Sequence, residues 1–164
     1  MATSTYRSEP LAAAATLPVS RAILYATLVV GLLDATDGVV FFGLHGQNPV
    51  QVLQYIASSL LGTRAFSDGL ASAGLGLVVH FAVSLVVVAI YILASRRIAV
   101  LRAQWVVLGL LYGAAVWAVM NLVLLPFTAV PHSPITTAVL LNGVIGHALF
   151  VGLPSAFFAK KLAA

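Results

Sequence analysis

An all-α, polytopic membrane protein, a four-transmembrane-helix bundle with a short amphipathic interfacial helix between spans one and two, is predicted by three observations. The 164 residues are 62% hydrophobic and only 7% charged, which leaves too little polar surface to solvate a domain of this size. Four apolar runs, 22–43, 70–95, 105–128 and 135–159, each reach the roughly 20 residues that a spanning helix needs. These runs lack the alternation of a barrel strand, and in lipid only helices or closed barrels satisfy their own backbone groups.

Residues 1–21 are rich in Ala, Ser, Thr and Pro and are expected to form a flexible cytoplasmic tail. Glu9 and Pro10 interrupt any apolar signal-peptide core, so span one is expected to remain in the mature chain. The loop after span one holds Asn48, placed to cap a helix, and Pro49, suited to its first position. A helix over 49–61 follows, with Leu53, Ile56, Ala57, Leu60 and Leu61 on an apolar face, and with Gln51, Gln54 and Ser58 expected to face water. Too short to cross, it is expected to lie in the interface, with a re-entrant cap as the alternative.

Lys and Arg set the orientation, because basic residues stay on the cytoplasmic side. Arg7 and Arg21 precede span one, Arg96, Arg97 and Arg102 fill the link between spans two and three, and Lys160 and Lys161 follow span four in the 160–164 tail. Only Arg64 lies on the other face, which predicts a multi-pass protein of the bacterial inner membrane with both termini cytoplasmic. Basic residues scattered among span ends form no recognition stripe, so no nucleic-acid partner is expected. The absence of cysteine excludes disulfides, thiolate metal sites and c-type haem attachment.

Six polar side chains interrupt the spans: Asp34, Asp37, His80, Asn121, Asn142 and His147. At about 1.5 Å per residue they lie roughly 18–26 Å from the cytoplasmic ends of their helices, in the outer half of a hydrocarbon core about 30 Å thick. Groups so costly in hydrocarbon are expected to face a bundle interior or cavity and to mark a site. That pattern predicts a vestibule open or capped outside and sealed by packing inside. Small residues share the stripes: Gly31 and Gly38 flank Asp34, Gly76 precedes His80, and Gly143 and Gly146 precede His147. Gly109 and Gly113 form a GxxxG, a close-packing surface for a neighbouring helix.

Asp34 and Asp37 share one helix face in a span without Lys or Arg, so the pair is not expected to be doubly ionised. A proton or cation site built from Asp34, Asp37, His80, His147, Asn121 and Asn142 is one reading; hydrogen-bonded carboxyls that only stabilise the bundle are the other. Asp34, Asp37, His80 and His147 also suit Zn, Mn or Fe as ligands, and His80 with His147 could hold a b-type haem. The cofactor stays unknown on sequence alone. His45 and His132 at the outer surface could extend a metal site. No HExxH, GxSxG or Walker A motif is present, so the chain is not expected to be an enzyme and no catalytic residue is assigned.

The segments Leu33-Asp34, Val39-Val40-Phe41-Phe42-Gly43-Leu44, Val52-Leu53-Gln54-Tyr55-Ile56-Ala57-Ser58-Ser59-Leu60-Leu61-Gly62, Gly109-Leu110-Leu111-Tyr112-Gly113 and Met120-Asn121-Leu122-Val123-Leu124-Leu125-Pro126 together resemble a group of small four-span bacterial inner-membrane proteins of unknown function, loosely YagU-like. The resemblance implies a bacterial inner membrane and transfers no ligand or site residue. Two function classes follow from the residues. One is a small oligomeric proton or cation transport or permeation unit; the other is an accessory or scaffold subunit of a larger respiratory or photosynthetic complex. In either case the expected partners are the lipid bilayer and a homo-oligomer or larger membrane complex.

Overall fold

A computed structural model describes residues 17–131 and 134–162, so most of the predicted N-terminal tail, and His132, lie outside the described residues. Four helices are long and apolar enough to cross a membrane: α1 (Val19–Leu44), α3 (Gly69–Arg97), α5 (Trp105–Phe127) and α6 (Thr137–Lys160). Between them lie the short α2 (Pro49–Leu61) and a single turn, α4 (Val100–Ala103). No strand occurs among the described residues beyond an isolated parallel bridge between Leu17 and Leu162. That bridge, with Leu17 N–H donating to the Lys161 carbonyl at 3.2 Å, ties the start of α1 to the end of α6. Both ends of the described chain therefore sit at one end of the bundle, here termed the terminal end.

α2 starts where the cap residues require. Asn48 Oδ1 accepts from the Gln51 amide at 3.0 Å, and Gln51 Oε1 accepts from the Asn48 amide at 2.9 Å, a reciprocal pair that satisfies two otherwise orphaned donors. Gly62 (φ 60°) ends it, and Gly69 (φ 59°) opens α3. The expected solvent face of α2 is corrected by the structure. Gln51 is exposed, but Gln54 and Ser58 are buried, whereas Leu60 on the supposedly apolar side is 63% exposed. The cause is α3: Gly76 lets the α2 backbone approach so closely that a Cβ there would collide with the Leu53 carbonyl. The turn joining the two helices buries carbonyls that need donors away from water. Gln54 Nε2 donates to Gly69 O at 3.0 Å and Ser72 Oγ to Ala65 O at 2.6 Å.

Two spans change pitch partway. α5 is α-helical to Ala118 and then forms a π-helix over Val119–Leu124, and α6 does the same over His147–Gly152. Each π segment is followed within two residues by a proline, Pro126 or Pro154. Proline lacks the N–H and its ring displaces the carbonyl four residues back. Those carbonyls belong to Leu122 and Phe150, inside the two π segments, so the wider turn accommodates the missing bond.

The terminal half holds the buried apolar core. Ala22, Ala26 and Val30 of α1, Val88, Tyr91 and Ile92 of α3, and Val151, Ala156 and Ala159 of α6 form one buried cluster. Tyr112 Oη donates across to the Val87 carbonyl at 2.7 Å, and Tyr91 Oη to that of Leu101 at 3.0 Å. The GxxxG of α5 is used within the chain: Cβ atoms at Gly109 and Gly113 would strike Gly152, Ala156 and the His147 carbonyl of α6. Large apolar side chains such as Leu28, Leu32, Val78, Leu111 and Ile145 point outward, as lipid contact demands.

Candidate functional site

Beyond that packed half the bundle opens into a cavity of about 350 Å³. All six polar residues singled out from the sequence line it: Asp34 and Asp37 from α1, His80 from α3, Asn121 from α5, and Asn142 and His147 from α6. Val52, Leu53, Tyr55 and Ile56 of α2 form its roof, with Gln47, Pro134 and Ile135 near the ends of the connecting loops. The cavity lies at the α2 end, and the buried apolar cluster lies at the terminal end.

Glycines create the space that the polar groups fill. A Cβ at Gly146 would lie 2.6 Å from Asp37 Oδ2, and one at Gly143 would overlap the Trp117 indole nitrogen. Asp37 Oδ2 accepts from Asn142 Nδ2 at 2.9 Å, the cross-bundle bond that joins α1 to α6. His80 donates from Nε2 to the Gly31 carbonyl at 2.8 Å; because a carbonyl only accepts, that nitrogen carries the proton. Asn121 Nδ2 donates within its own helix to Trp117 O at 3.0 Å.

Asp34 and His147 form an incomplete pair. Nδ1 of His147 lies 3.7 Å from Asp34 Oδ1, within range of an ion pair but too long for a hydrogen bond. Among the described residues that buried ring nitrogen has no hydrogen-bond partner.

Among the described residues no three His, Cys, Asp or Glu side chains come close enough to hold a metal ion, so Asp34, Asp37, His80 and His147 share the cavity without converging on one point. His80 Nε2 is engaged by the Gly31 carbonyl, and His147 Nδ1 faces Asp34. His45 does not line the cavity; its Nδ1 donates to Phe41 O at 2.7 Å and the ring packs 4.5 Å from that of Phe41.

Sequence reasoning missed the contribution of α2, whose Tyr55 and Ile56 enter the wall. Burial pushes the Tyr55 phenol above its usual range, and a phenol is uncharged at neutral pH even without that shift. The π segments were missed as well, although Pro126 and Pro154 carried the signal. Asn121 lies within one and His147 begins the other, a coincidence of wide turns and polar groups common at functional sites. No family model matches the chain, nor does any curated protein or solved structure.

Proposed function

We propose that the protein is a small, non-catalytic proton- or cation-handling unit of the bacterial cytoplasmic membrane, working as a homo-oligomer with both termini in the cytoplasm. The observation that carries this reading is the convergence of six polar side chains from four apolar helices on one cavity, since such groups are retained in hydrocarbon only at a cost. In this reading Asp34, Asp37 and His147 bind the ion, Asn142 orients Asp37, and His80 fixes α3 to α1. The cavity then faces the outside, and the packed terminal half is the closed inner gate. The accessory-subunit alternative cannot draw on the close-packing surface at Gly109 and Gly113, because α6 already fills it.

Thermal unfolding of the purified protein in mild detergent, scanned over pH and over Na⁺, K⁺ and Mg²⁺, tests the reading. A ligand that binds only the folded state stabilises it by about 2.7 kcal/mol at 100 times its Kd. Wild type should respond to at least one of these ions, or to pH, while Asp34→Asn stays unmoved. Equal responses from both proteins under every condition would overturn the assignment.

A further inference from the structure

The cavity is larger than a bare ion requires, and much of its wall is apolar. Its volume of about 350 Å³ falls at the lower end of the roughly 300–1,000 Å³ typical of small-molecule sites, which combine apolar and aromatic walls with a few convergent polar groups. Trp117 from α5, Phe41 from α1 and Ile56 from α2 provide such walls. Among the described residues no Lys or Arg lines the space, while two carboxyls do, so the balance of charge favours a cation. Among the described residues neither carboxyl is saturated: Asp37 has a single side-chain donor in Asn142, and Asp34 lies 3.7 Å from an imidazole nitrogen that lacks a hydrogen-bond partner. A metal ion would need a tight ligand sphere, which the described residues do not assemble. A diffuse organic cation needs only nearby negative charge and aromatic faces.

We propose that the cavity binds a small organic monocation, an alkyl- or arylammonium whose charged head sits at Asp34 and Asp37 and whose apolar body lies against Trp117, Phe41 and Ile56. This rests on the reading of the site as cation-binding and names the class of cation. Trp117 offers a built-in reporter. The chain's other tryptophan, Trp105, packs against Phe157 near the terminal end, so Trp105→Phe leaves Trp117 as the sole indole.

The experiment titrates this full-length variant in mild detergent with phenyltrimethylammonium and, separately, with its neutral isostere tert-butylbenzene, each corrected against protein-free micelles. The ammonium should change Trp117 emission saturably and bind about tenfold or more tightly than the isostere. Asp34→Asn and Asp37→Asn should each weaken it about tenfold, and two variants guard against one that fails to fold. Equal affinity for the two probes, or undiminished ammonium binding in either folded variant, would overturn the proposal. If the ammonium does not bind while pH or an inorganic cation still raises the melting temperature, the organic-cation inference falls and the ion-handling reading survives. No response to ammonium, inorganic cation or pH removes both.

Discussion

The two halves of the bundle are built from the same four spans and pack in opposite ways. At the terminal end Ala22, Ala26, Ala156 and Ala159 are all completely buried, and their small side chains bring the helices close enough for Val88, Tyr91 and Ile92 to fill what remains. Helices in lipid gain little from the hydrophobic effect between themselves, so such close van der Waals contact is what holds them. At the α2 end the small residues act differently: Gly143 and Gly146 make room for Trp117 and Asp37, and α5 and α6 widen into π turns. The same economy of side-chain size seals one half and hollows the other.

The largest expected effect tests the sealed half. Gly113→Leu would drive its side chain into the His147 carbonyl of α6, and should cost at least the upper end of the roughly 1–3 kcal/mol seen for overpacking. It should be read as a fall in melting temperature or a failure to yield monodisperse protein. Gly43→Ala, with nothing within 4 Å of the new methyl, is the control and should stay within about 0.5 kcal/mol of wild type. Equal behaviour of the two would mean that the α5–α6 contact is not tight.

A smaller effect compares one cross-helix hydrogen bond from each half. Tyr112 donates to Val87 O in the packed region, and Asn142 donates to Asp37 beside the cavity. Such bonds in membrane proteins average about 0.6 kcal/mol and reach about 1.7. Tyr112→Phe should fall in the upper part of that range, because water cannot replace the lost donor in a dry interface. Asn142→Ala should fall in the lower part, because water in the cavity can hydrate Asp37. Denaturant titration in mixed micelles measures both, and the reverse order would show that the cavity half is the drier one.

The smallest effect on stability is also the sharpest test of α2. The chain has no cysteine, so single cysteines can be placed at positions 51, 54 and 58. Gln51→Cys should react quickly with a membrane-impermeant maleimide, and Gln54→Cys and Ser58→Cys slowly, since only Gln51 of the three is exposed. Uniformly fast labelling would return α2 to the membrane surface and leave the cavity without a roof.

Much of this architecture was legible in the chain. Span boundaries follow from hydropathy, and α2 begins at Pro49 because Asn48 and Gln51 cap it through contacts three residues apart. The polar layer could also be read, because Asp34, Asp37, His80, Asn121, Asn142 and His147 are exceptions in otherwise apolar runs, and helical rise alone puts them at similar depth. The inward turn of Gln54 and Ser58 was not legible. Amphipathicity assumes that polar side chains seek water, whereas here Gln54 meets a carbonyl of the turn between α2 and α3. Nor could spacing show that two aspartates and two histidines would line one cavity without closing on a metal.

By itself the sequence determined the class of protein, the number and extent of its spans and the similar heights of its six polar residues along them. Each of these depends on the local chain: hydropathy over about 20 residues, rise per residue, or a cap three residues long. The tertiary structure alone decided that the layer encloses a cavity, that α2 covers it with its polar face turned inward, and that the GxxxG is satisfied within the chain. Those outcomes depend on which groups of other helices lie opposite. Gly76 meets the Leu53 carbonyl, Gly113 meets that of His147, and Asp37 meets Asn142, partners between 23 and 105 residues apart in sequence that no local pattern encodes.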